Sequence, residues 1–203
     1  MLQVYGWSLD ILSALHFLHD RDPVIVHRDI KPSNLVITRD RRSLKLIDFG
    51  LSRTLPRGSD CLVDSSPAAL VLTTRIGTLR YSAPEVFACD EKAGGVVYSE
   101  KVDVFSAALI IWYLLTGRRP ESRQTPLDRP ALEPARRRWA GLAGLLERMW
   151  AHNAAERPSA GECLSELREL PLRAAYWTAG GQRSGVSDAV RRPEPCSTPG
   201  SML

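Results

Sequence analysis

Cysteine is scarce and scattered. Cys61, Cys89, Cys163 and Cys196 are the four in 203 residues, and no two form a CxxC pair. That spacing supports neither a disulfide framework nor a zinc site and fits a reducing compartment, so the expected location is intracellular and cytoplasmic. Long apolar runs are also missing. The longest nearly apolar stretch, Val104–Leu115, holds 12 residues, whereas a membrane span needs about 20. It reads instead as a buried helix. No basic segment followed by an apolar stretch opens the chain, so no secretory signal is expected. Aromatic residues make up 7% and lack the spacing of a nucleic-acid-binding module. Charge of one sign does not dominate, with 27 basic against 23 acidic residues. Much of the small excess is local: Gly117–Arg138 holds seven arginines and three acids. Such a patch can meet phosphates, but a solvated arginine-rich loop is the reading to prefer. No internal repeat is present.

What remains is an ordinary globular balance, 44% apolar and 25% charged, in a chain long enough to bury a core. Val4, Trp7, Ile11, Leu15 and Leu18 recur at helical spacing and predict a first helix, ended by Asp20-Arg21-Asp22-Pro23. Val24–Val26, Leu35–Ile37 and Leu44–Ile47 are short apolar runs between polar turns and predict strands, the last two joined as a hairpin through Thr38–Ser43. Residues 51–80 are rich in Ser, Thr, Pro and Gly and read as a long loop. Val102–Thr116 predicts a strongly apolar helix closed by Gly117. Arg118–Pro134 holds four prolines and reads as irregular. Trp139–His152 is amphipathic. Ser159 and Glu162 stand at capping-box spacing before a last helix that Pro171 stops. Residues 171–203 have the composition of a disordered tail. The expected fold is mainly α with a small β element.

Three motifs follow in order. His27-Arg28-Asp29-Ile30-Lys31-Pro32-Ser33-Asn34 comes first. Asp48-Phe49-Gly50 comes second, 19 residues after Asp29. Gly77-Thr78 and then Ala83-Pro84-Glu85 close a long segment. Each motif is weak alone, but the ordered set resembles the catalytic loop, metal-binding motif and activation-segment end of eukaryotic protein kinases. The resemblance spans about residues 1–170 and covers the large, C-terminal lobe. Trp112 and Met149-Trp150 are most similar to the tyrosine-kinase-like branch of serine/threonine kinases.

That resemblance implies roles. Phosphoryl transfer needs positioning and charge neutralisation more than covalent chemistry. Asp29 matches the carboxylate that meets the substrate hydroxyl, and Lys31 matches the positive charge near the transferring phosphate. Asn34 and Asp48 match the magnesium ligands, and Val36 the residue beneath the adenine of ATP. Val36 also reads as an ordinary strand core residue. His27 and Phe49 resemble packing residues of the regulatory spine, with Gly50 completing the motif. Asp103 resembles the aspartate that braces the catalytic loop, and Glu85 the partner of Arg157. Arg28 resembles the arginine that receives an activation-loop phosphate, for which Thr73 and Thr74 are the acceptors to expect; those two also read as ordinary loop threonines. Lys31 and Thr78 favour serine/threonine specificity, and Thr78 is expected to contact Asp29 and Lys31. Implied partners are ATP, magnesium, a protein substrate bearing a hydroxyl and, in addition, a regulatory protein.

The chain departs from the family pattern in three places. It has no G-x-G-x-x-G and no lysine before Lys31, so the small lobe is expected to be absent. The Arg119–Trp139 stretch is short and proline-rich where a docking helix is usual. Ala107-Ala108 stand where Phe-Gly is common, which implies local repacking. Two readings therefore stand: a partial serine/threonine kinase domain, favoured by the intact set Asp29, Lys31, Asn34 and Asp48, and a non-catalytic binding module.

Overall fold

The computed structural model describes residues 2–56, 62–64, 79–87, 89–90, 95–120 and 130–170. The expected disordered tail and the three threonines Thr73, Thr74 and Thr78 lie outside the described residues. The centre of the core is α2 (Lys101–Thr116), buried without interruption from Val102 to Trp112. A helix apolar on every side has to be enclosed by others. α1 (Leu2–His19), α3 (Glu133–Arg138) and α4 (Ala140–Met149) enclose it, and α5 (Ala160–Glu169) closes over α1 and α4. α1 buries Tyr5, Leu9 and Leu12 in addition to Ile11, Leu15 and Leu18 of the stripe its periodicity picks out, while Val4 and Trp7 are half-buried. The reason is that α2, α5 and two strands reach it from different sides. Ala107 and Ala108 are both buried, so the small residues at these positions are packed and leave no exposed gap.

The helix ends follow their residues. α2 stops at Gly117, whose φ of 72° lets its N–H return to the Tyr113 carbonyl at 2.8 Å. α5 starts with the expected capping box. The Ser159 hydroxyl accepts the Glu162 N–H at 3.2 Å, and the Glu162 carboxylate accepts the Ser159 N–H at 2.7 Å. α3 and α4 are two helices where the sequence predicts one beginning at Trp139. The tripeptide Arg136-Arg137-Arg138 gives α3 no apolar periodicity, and only the packing of buried Ala135 reveals it.

The β structure is small and divided. β1 (Val24–Val26) pairs antiparallel with β4 (Arg53–Leu55), and Val24 stands opposite Leu55. β2 (Leu35–Ile37) and β3 (Leu44–Leu46) form the expected hairpin, with Val36 opposite Lys45. β5 (Leu62–Asp64) pairs with β7 (Gly95–Tyr98), which also pairs with β6 (Cys89–Asp90). β4 and β5 correct the reading of residues 51–80 as loop throughout. Strands of three residues carry too little alternation to register in a sequence; their partners, β1 and β7, define them. The observed architecture is mainly α with a small β element.

Replacing Ser159 by Ala should cost about 1 kcal/mol of stability, the usual worth of such a cap. The Ser159 backbone and hydroxyl bonds hold the Glu162 carboxyl below its ordinary value of 4.5. The contribution of Glu162 is therefore full above that value and fades as pH falls through the lowered one. Thermal melts of Glu162→Gln against the parent should differ at about pH 7 and converge on acidification, as linkage requires.

Candidate active site

The site is built on one buried carboxylate. Asp103, in the first turn of α2, is 1% exposed. Its Oδ2 accepts the His27 N–H and its Oδ1 the Arg28 N–H, both at 2.8 Å. His19 Nε2, from the end of α1, lies 3.0 Å from the same Oδ2. These bonds fix the chain just after β1. Arg28 sits there at φ 70°, a left-handed conformation that a side-chain-bearing residue adopts only when its surroundings compel it. The backbone reversal at Arg28 directs Asp29 into the interior, where it is 4% exposed.

Asp29, Lys31 and Asn34 then converge. Lys31 Nζ stands 2.6 Å from Asp29 Oδ2. The Asn34 amide nitrogen donates twice to Asp29, at 2.8 Å to its carbonyl and 3.0 Å to Oδ2. A short helical turn, Pro32–Asn34, sets that reach, with Pro32 pre-shaping its first position. Both Asn34 N–H groups are thereby used and its amide oxygen is left to accept. Asp29 Oδ1 is buried and has no hydrogen-bond partner among the described residues.

Asp48 reaches the same neighbourhood through the backbone. The Ile47 N–H donates to the Asn34 carbonyl at 2.9 Å, and the Ile47 carbonyl lies 3.1 Å from His27 Nε2. Asp48 has φ 65° and an exposed carboxylate whose Oδ1 accepts the Gly50 N–H at 3.2 Å. A Cβ on Gly50 would meet that same oxygen at 3.2 Å, so a side chain there would press on Asp48. Asp48 and Asn34 thus offer a carboxylate and an amide oxygen, the hard donors that magnesium takes.

Two expectations about packing are corrected. Val36 is 46% and Phe49 48% exposed, so neither is a core residue of the described structure. Phe49 touches the buried His27 edge-on, with ring centroids 5.0 Å apart, and its other side faces outward. Ile37 and Ile47 are exposed beside them. Val36 and Ile37 are consecutive in β2, so their side chains leave the hairpin on opposite faces and both faces are open there.

Farther out, Arg157 uses all five of its N–H donors. It binds both Glu85 carboxylate oxygens, at 2.6 and 2.8 Å, and the carbonyls of Ala151, Lys101 and His152. Arg28 Nη1 donates to the Tyr98 hydroxyl. His19 and Tyr98 escape the sequence reading. His19 is one more residue of a helical turn, Tyr98 one aromatic in a strand, and only the fold brings them to the site.

The loop is set between a bracing helix and a segment pinned by an arginine–glutamate pair. A protein kinase domain model matches residues 3–167, and the chain belongs to the protein kinase family. Serine/threonine-protein kinase STY46 of Arabidopsis thaliana is 33% identical over 171 residues, 80% of this chain and 26% of that protein. Receptor-interacting serine/threonine-protein kinase 3 of Homo sapiens is 34% identical over 178 residues, 79% of this chain and 32% of that protein. Seven transmembrane domain-containing tyrosine-protein kinase 1 of Dictyostelium discoideum is 29% identical over 185 residues, 85% and 24%. The chain spans about a quarter to a third of the length of these relatives. Among the described residues no helix is long and apolar enough to cross a membrane.

Replacing Glu85 by Ala strands the Arg157 charge in the core and should cost about 3–5 kcal/mol. Urea denaturation of the variant checks this, and a loss below about 1 kcal/mol would show that the three carbonyls suffice.

Proposed function

We propose that this chain carries the catalytic loop and activation segment of a serine/threonine protein kinase, which transfers the ATP γ-phosphate to a protein hydroxyl. One observation carries the reading: Asp29 is buried with Oδ2 held by Lys31 and Asn34, while Oδ1 has no partner among the described residues. An unmet buried acceptor is costly, and a substrate hydroxyl arriving there would satisfy it and find its base in place. Asp29 would take that proton at Oδ1 as transfer proceeds. Lys31, 2.6 Å from the same carboxylate, would offset phosphate charge beside it. Asn34 and Asp48 would hold magnesium, which supplies neutralisation of the ATP phosphates when bound. Lys31 and Thr78 support serine/threonine rather than tyrosine specificity.

A second reading rests on a different observation. Val36, Ile37, Ile47 and Phe49 are each 41–48% exposed on neighbouring stretches, and clustered apolar surface marks an interface. On that reading the chain docks on a partner without transferring phosphate.

Asp29→Asn separates the two. Phosphate transfer from labelled ATP to a protein substrate should fall by about 10²–10⁴-fold, the usual worth of a positioned base, with the melting temperature nearly unchanged. Transfer that persists in the variant removes Asp29 from the mechanism. A cellular effect that survives the substitution supports docking.

A further inference from the structure

Arg28 and Tyr98 meet across 70 positions of sequence, and the guanidinium carbon also lies 5.0 Å from the centre of the Tyr98 ring. Tyr98 is 4% exposed. It is the last residue of β7, and its backbone stands opposite Leu62 of β5. β5 belongs to the segment between Asp48 and Glu85. Arg28 directly precedes Asp29, and its own backbone is held by Asp103. A continuous set of contacts therefore runs from β5 through β7 and Tyr98 to Arg28 and Asp29.

We propose that Tyr98 is a positioning residue that ties the activation segment to the catalytic loop through Arg28, and that this tie needs no phosphorylated residue. The chemistry is sufficient. A partly buried guanidinium needs an acceptor and tolerates an aromatic face, and a phenol supplies both. A phosphate on the segment would add charge to such a site, whereas the Tyr98 hydroxyl accepts the guanidinium N–H without one. The arginine that the sequence reading assigned to a phosphate at Thr73 or Thr74 thus already has a structural occupation. The consequence for catalysis rests on the kinase reading, whereas the coupling between the two segments is a property of the fold.

Tyr98→Phe tests it, because the ring stays and only the hydroxyl is removed. In the full chain, amide hydrogen exchange should quicken about tenfold in residues 27–34 and in Leu62–Asp64 together, the effect of losing one hydrogen bond to a charged group. Exchange in α4 should not change. The double variant Thr73→Ala/Thr74→Ala should exchange like the parent in both segments. Quickening confined to Leu62–Asp64, or absent from both, overturns the proposal, as does lost protection in the double variant. Exchange does not depend on phosphate transfer, so it stays readable if the kinase reading fails. Where transfer is measurable, Tyr98→Phe should lower kcat severalfold at unchanged KM for ATP. An unchanged kcat overturns the positioning role.

Discussion

The Asp103 carboxylate joins three separate parts of the chain at one point. It is a carboxylate with almost no exposure, a placement that is tolerable only when donors surround it. Those donors come from three places: the end of α1, the backbone at His27 and the backbone at Arg28. Arg28 can therefore stay in a left-handed conformation, and the next residue, Asp29, can turn inward. The cluster of Asp29, Lys31 and Asn34 depends on that turn more than on any contact of its own. α2 makes the arrangement stiff, because a helix buried all round cannot shift without disturbing the whole core.

Arginine does most of the remaining long-range joining. Arg157 satisfies every donor it has and fastens Glu85 to the helical body. Arg28 reaches the other way, to Tyr98 and the three-stranded sheet. The planar, permanently charged guanidinium suits both places, since it can bond in several directions from one buried position. The 48–85 segment is thus held at its far end by an ion pair and nearer its middle by strand pairing. The exposed apolar residues of β2 and the stretch after β3 lie on the remaining open side of the site, where the described structure provides no cover.

Much of this was readable from residues alone. The three motifs located the loop, the metal-binding aspartate and the segment end. Residue type and spacing carry phosphoryl-transfer chemistry whatever surrounds them. The first helix, the hairpin, the Gly117 stop and the Ser159–Glu162 cap are local features, decided within a few residues by periodicity and hydrogen-bonding capacity. β4, β5 and α3 were not legible, because elements of three to six residues exist only by virtue of what pairs with or packs on them. Val36 and Phe49 are exposed where core packing was expected: an apolar residue in a short strand, as Val36 is, has no fixed side until the sheet has a partner layer, and Phe49 lies in the stretch after β3. His19 and Tyr98 bear no mark that separates them from other helix and strand residues.

The sequence by itself determined the family, the order of the elements and the identities of the groups that could act. Their chemistry belongs to the side chains, and their order is that of the chain. Only the tertiary structure decided that Asp103 holds the Arg28 turn, that Asp29 presents one satisfied oxygen and one that no described residue meets, and that Tyr98 takes the Arg28 guanidinium. These depend on distances between residues up to 76 positions apart, which packing sets and local sequence does not encode.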